Sequence, residues 1–91
     1  MSHIHIKHAH QLAQEDVRQR VEGIAEDLKR KLHVQYQWKG DAVLFKRPGA
    51  QGRIDLGENF VEITMKLGLL VLPLKDKIEA QIREEIADYL S

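Results

Sequence analysis

Ninety-one residues, 43% hydrophobic and 31% charged, describe one soluble globular domain spanning residues 1–91 with a modest core. Fourteen Lys and Arg balance fourteen Asp and Glu, which weighs against partners held mainly by charge, such as duplex DNA or an anionic membrane surface, and leaves formation of a homo-oligomer open. The absence of cysteine excludes disulfides, thiolate metal sites and Cys nucleophiles, and suits a cytoplasmic protein.

The opening MSHIHIKHAH has no continuous apolar stretch and reads as no secretory signal. Within it HIHIK alternates, placing Ile4 and Ile6 on one side and His3, His5 and Lys7 on the other, as in a strand with one wet face. From about Gln11 the period changes. Val17, Val21, Ile24, Leu28 and Leu32 recur at three or four residues, aligned on one side of a helix. Glu15 and Asp16 near its start, and Lys29, Arg30 and Lys31 near its end, suit the helix dipole. Gly23 inside this helix costs about 1 kcal/mol against alanine, which predicts a close approach of its backbone to a sheet.

Alternation then returns. Val34, Tyr36 and Trp38 share a face, and Lys39-Gly40-Asp41 turns the chain. Val43 and Phe45 oppose Leu44 and Lys46, RPGAQG reads as a loop, and RIDL as a short strand with Ile54 and Leu56 on one side. After Gly57-Glu58-Asn59, FVEITMKL alternates most clearly, with Val61, Ile63, Met65 and Leu67 against Glu62, Thr64 and Lys66. Connections of hairpin length make these strands an antiparallel meander. The last helix carries Leu74, Ile78, Ile82, Ile86 and Leu90 at a strict spacing of four. Each step overshoots a turn by ~40°, so one end of this stripe faces the sheet while the other turns toward a neighbouring helix or a partner.

The predicted fold is α+β: a two-layer sandwich in the order β-α-β-β-β-β-α, with two helices on one face of an antiparallel sheet. Its core is predicted to be Ile4, Ile6, Val21, Ile24, Leu28, Tyr36, Trp38, Val43, Phe45, Ile54, Val61, Ile63, Met65, Ile78 and Ile82. The reverse face would carry His3, His5, Lys7, Gln35, Gln37, Lys46, Arg53, Asp55, Glu62, Thr64 and Lys66.

Between the last strand and the last helix lies LGLLVLPL, Leu67 to Leu74, eight successive uncharged residues. It is too short to span a bilayer, which needs ~18 or more. Gly68 lets the chain turn, and Pro73 suits the first position of a helix. Four consecutive apolar residues, Leu69, Leu70, Val71 and Leu72, cannot all point inward from one corner. On one reading these side chains plug the end of the core, one of them stapling the helix start; on the other they form a partly exposed knob of the kind that marks an interaction site, and both readings can hold for different residues of the four.

Taken together, HIHIKHAHQL, GIAEDL, YQWKGDAVLFKRPGAQGRIDLGE and LGLLVLPLKDKIEAQI resemble the polyhydroxyalkanoate granule region family over nearly the whole chain. The resemblance rests on His10-Gln11-Leu12, Trp38 with Gly40-Asp41, Phe45, Gly52-Arg53-Ile54, and Leu67-Gly68 leading to Pro73-Leu74-Lys75. It implies a bacterial cytoplasmic accessory protein connected with storage-polyester granules. Making or degrading such polyesters by the usual route needs a Cys or Ser nucleophile activated by histidine. Here the only serines are Ser2 and Ser91, at the two ends, so no enzyme of that kind is expected. The strand-rich pattern also separates the chain from the helical granule coat proteins.

No metal or other cofactor is expected. His3, His5, His8 and His10 read as solvated histidines on a wet strand, without a Cys to complete a metal site. His10 is expected to orient the start of the first helix. Nucleic acid is not an expected partner, since Tyr36, Trp38 and Phe45 fall on the core side, where bases cannot stack on them. The expected function is therefore a non-enzymatic accessory of polyester storage that touches a granule-associated protein or the granule surface. Leu69, Leu70, Val71, Leu72, Trp38 and Tyr36 are the candidate binding residues. The alternative is a carrier of small apolar acyl or hydroxyacyl ligands with a reduced helix-grip fold, its cavity lined by Trp38, Tyr36, Phe45, Met65 and Ile82.

Overall fold

A computed structural model of the chain describes residues Ser2–Leu90. Strand β1 (Ser2–Ala9) leads into helix α1 (Gln14–Leu32), followed by β2 (Gln35–Lys39), β3 (Ala42–Arg47), β4 (Ala50–Leu56) and β5 (Phe60–Leu67). A short 3-10 turn (Leu72–Leu74) runs directly into helix α2 (Lys75–Leu90). This is the α+β order read from the sequence.

All strand pairs are antiparallel, in the sheet order β1-β5-β4-β3-β2. The meander folds by tight turns, and α1 carries the chain from one edge of the sheet to the other. Gly40 and Gly49 occupy the first two of the three hairpin turns with positive φ of 61° and 85°, a region that favours glycine. Pro48-Gly49 alone makes the second turn, since Arg47 pairs with Ala50. The six-residue loop expected from RPGAQG is thus two residues long, and β4 starts at Ala50. Strand pairing satisfies the amides of Gln51 and Gly52 without help from an apolar side-chain pattern, which is why alternation alone missed them.

Both helices cover the face bearing Ile4, Ile6, Val43, Phe45, Ile54, Val61, Ile63 and Met65, all buried in one continuous cluster. From α1 come Val17, Val21, Ile24, Ala25 and Leu28; from α2, Ile78, Ile82, Ile86 and Leu90. Helix α1 starts at Gln14, three residues later than the periodicity suggested. Its N-cap is Ala13, with no side-chain cap. At its other end Arg47 donates to the Leu32 carbonyl at 2.9 Å. Helix α2 has no cation in its own last turn. Arg20 from α1 donates to the Tyr89 carbonyl at 2.8 Å, and His8 from β1 to that of Leu90 at 3.4 Å. Both place donors at the negative end of the dipole.

Gly23 requires a correction. A Cβ there would lie 2.5 Å from the Tyr89 ring of α2, so the close approach is between the two helices and not onto the sheet. The strict-four stripe of α2 explains it. As the stripe drifts, Glu85 and Tyr89 come round to face α1. Glu85 is 1% exposed, and its Oε2 accepts from Lys31 of α1 and from Gln81, each at 2.9 Å. The Tyr89 hydroxyl donates to Asp27 at 2.9 Å, and Arg30 donates to the same carboxylate at 2.7 Å. A part-buried polar network centred on Glu85 therefore joins the helices at the point where the stripe leaves the sheet.

Candidate functional site

The corner after β5 is built by backbone bonds. Gly68 N–H donates to the Gly49 carbonyl at 2.9 Å, tying the corner to the β3–β4 turn. Val71 N–H then donates to Gly68, and Leu74 N–H to Val71, winding the chain into the 3-10 turn. This winding separates the four apolar residues. Val71 is buried at 2% exposure and Leu72 is half-buried, while Leu69 and Leu70 stand out at 79% and 74%. The base of Leu70 lies over Gly49, so the knob rests on the turn beneath it. Leu74 joins it at 47% exposure. Sequence reasoning placed Leu74 in the stripe of α2; the 3-10 turn ahead of the helix is what leaves it outside.

Tyr36 and Trp38 lie elsewhere, on the edge strand β2, half-buried against the core under α1. The Tyr36 hydroxyl donates to Glu22 and Glu26, and Trp38 Nε1 donates to Glu22 at 3.3 Å. The two carboxylates push the Tyr36 hydroxyl pKa well up, Glu26 first, with burial adding to the effect. Arg18 covers the Trp38 ring at 4.2 Å and also bonds Asp41 and the Gly40 carbonyl. These aromatics hold β2 to α1, and the fold does not bring them together with the leucine corner. Phe45, Met65 and Ile82, the other residues of the helix-grip alternative, are packed in the core; of the two cavities, one borders Tyr36 and Phe45 from the open side of the sheet, and neither is lined by Trp38, Met65 or Ile82.

The larger of those cavities, about 590 Å³, is a groove on the open face of the sheet. Strand register sorts that face into rows. One row runs His3, Lys66, Gln51, Lys46, Gln35; the next, His5, Thr64, Arg53, Leu44, Gln37; the third, Lys7, Glu62, Asp55, Ala42, Lys39. The groove occupies the first two rows from β5 across to β2. Both carboxylates of the face stand in the third row and are bonded there: Glu62 by His5 at 2.6 Å, Asp55 by Arg53 at 2.6–3.0 Å. Alternation assigns each side chain its face, but the rows appear only when five strands are in register.

His10 is buried, and its Nδ1 accepts from the Leu12 N–H at 3.1 Å, orienting the segment that enters α1. Among the described residues, no group of three or more His, Asp or Glu side chains converges as metal ligands. Among the same described residues, no helix is long and apolar enough to cross a membrane.

With this geometry in hand, comparison with known proteins gives one result. The family model described as "Putative polyhydroxyalkanoic acid system protein" matches residues 4–90. The chain belongs to this family. The match runs from β1 to the end of α2, so the family pattern covers the whole fold, including the leucine corner and the groove. No curated protein and no solved structure matches the chain.

Proposed function

We propose that this member of the polyhydroxyalkanoic acid system family is a non-enzymatic, cytoplasmic accessory of polyester storage. It docks through Leu69, Leu70 and Leu74 onto a granule-associated protein or the granule surface. The observation that carries the reading is the fixed exposure of Leu69 and Leu70 beside a buried Val71. A corner tied down by the Gly68–Gly49 bond presents these leucines without first having to be ordered, so little conformational entropy is lost on contact. Burying one leucine yields roughly 1.5–3 kcal/mol, enough for reversible docking by two or three of them. The chain's lack of a Cys, and of any Ser except at its ends, supports the non-enzymatic part.

Fractionation of cells that carry storage granules and express a tagged copy tests this directly. Wild-type protein is expected in the granule layer. Leu70→Asp should weaken granule binding at least tenfold, since losing ~1.4 kcal/mol or more of contact corresponds to that factor in the binding constant. A distribution that Leu70→Asp leaves unchanged would refute the docking site.

A further inference from the structure

The groove on the open face has a donor surplus. Lys46 and Lys66 flank Gln51 in one row, on the strands either side of β4, with Cα atoms about 10 Å apart at the usual strand spacing. Among the described residues neither ammonium has a carboxylate partner. Arg53 enters the groove from the next row, Gln35 and Gln51 bring amides, and no Asp or Glu lines it. Leu44 is half-buried within it, an apolar floor on an otherwise polar face. A solvated sheet face intersperses its charges; here the acids are confined to a neighbouring row and already bonded.

We infer that this groove binds a small organic oxyanion, a carboxylate or phosphate carried on a chain rich in acceptor atoms. The head group sits between Lys46 and Lys66, the body lies over Leu44, and its carbonyl or ether oxygens accept from the glutamine amides and from Nη1 of Arg53, whose Nε and Nη2 are bonded to Asp55. A volume of about 590 Å³ is within the range of small-molecule sites. The two ammoniums are far enough apart to grip one head group from opposite sides, and the neighbouring acids are held by His5 and Arg53. The inference goes beyond granule docking and does not depend on it. Only the choice of a hydroxyacid probe comes from the family.

The test is a titration of the isotope-labelled full chain, followed by backbone amide shifts. Three probes are used: the linear trimer of 3-hydroxybutyrate, its methyl ester, and inorganic phosphate. Saturable shifts clustered at Gln35, Gln51, Thr64 and Lys66 are expected with the trimer acid, and binding at least tenfold weaker with the neutral ester. Phosphate shifting the same amides with equal or greater affinity would support the oxyanion site and assign it to phosphate; weaker phosphate binding supports the carboxylate. Lys46→Gln with Lys66→Gln should weaken the acid at least tenfold. Lys7→Gln with Lys39→Gln removes the same charge from the third row and should leave affinity within twofold. Equal shifts with acid and ester, equal loss in both double variants, or no saturable shift would overturn the assignment. Leu70→Asp should titrate like wild type, so a failed groove and a failed docking corner give separate results.

Discussion

Replacing Gly52 with valine is expected to lower stability by roughly 3 kcal/mol, the upper end of the cost of overpacking. That corresponds to a fall in Tm of more than ten degrees, at about 4–8 °C per kcal/mol for a domain near this size. Gly52 pairs with Phe45 on one side and Met65 on the other, in the middle of the sheet. A Cβ at this position would lie 2.6 Å from the Thr64 carbonyl oxygen and 3.1 Å from Met65 Cα. Backbone of the neighbouring strand cannot swing away as a side-chain tip can, so β4 and β5 must separate and their hydrogen bonds lengthen. Because the first carbon does the damage, Gly52→Ala should already show most of the loss. Gly68→Ala is the control: its Cβ meets only the Gly49 carbonyl at 3.5 Å, an ordinary contact, and its effect should stay within ~0.5 kcal/mol. Thermal melts of the three variants check this. An alanine at position 52 as stable as wild type would show that the strands do not approach so closely.

The second large effect is at Glu85. Glu85→Ala should cost on the order of 3 kcal/mol, because it empties a fully buried site and strips Gln81 and Lys31 of their acceptor. Glu85→Gln keeps the shape and should cost little near neutral pH. The difference is electrostatic. Burial pushes the Glu85 carboxyl above the usual range, with the facing Asp27 adding to the shift and Lys31 opposing it. Asp27 is held below its usual range, first by the hydrogen bond from Glu85, then by Tyr89 and Arg30. The two facing carboxyls are thus shifted apart, Glu85 upward and Asp27 downward.

The pH dependence follows in sign. A raised carboxyl pKa means that the folded chain holds the proton more tightly than the unfolded chain. The stability from Glu85 is therefore full below its unfolded value near 4.5 and is lost as pH rises through the folded value. Asp27 acts in the opposite sense: its contribution is present above 3.8 and is lost as pH falls through its lowered folded value. Above pH 4.5 Asp27 is largely ionised both folded and unfolded, so the change with pH comes from Glu85. Denaturant titrations should show Glu85→Gln gaining on wild type as pH rises above 4.5, while Glu85→Ala stays well below both. A Gln-minus-wild-type difference that does not change with pH would contradict the raised carboxyl of Glu85.

How far the sequence foretold this molecule depends on what each feature is made of. Alternation along β1, β3 and β5 and the stripes of both helices are local patterns, so the two layers and their order could be read directly. Tyr36 and Trp38 were placed on the core side correctly, yet they are only half-buried, because β2 is an edge strand and their polar atoms reach for Glu22. Glu85 was missed because a charged residue beside Glu84 looks like ordinary surface; the useful signal was Gly23, which needed a close neighbour, together with the drift of the four-spaced stripe. The leucine corner could be located, but which residues face outward depended on the bond from Gly68 to the β3–β4 turn. The groove was invisible for a similar reason: Lys46, Gln51 and Lys66 are neighbours only through the register of three strands.

The claim that most needs testing is that the exposed leucines dock the protein on the granule. Purified wild-type protein and Leu69→Asp/Leu70→Asp should be sedimented with native granules and with granules stripped of protein, at equal concentration and after confirming equal Tm. Wild type should pellet with native granules and the double variant should stay in the supernatant; loss of wild-type binding on stripping would identify a granule protein as the receptor, and retention would identify the polyester surface. Wild type remaining in the supernatant with both preparations, or both proteins pelleting alike, would contradict docking through these leucines.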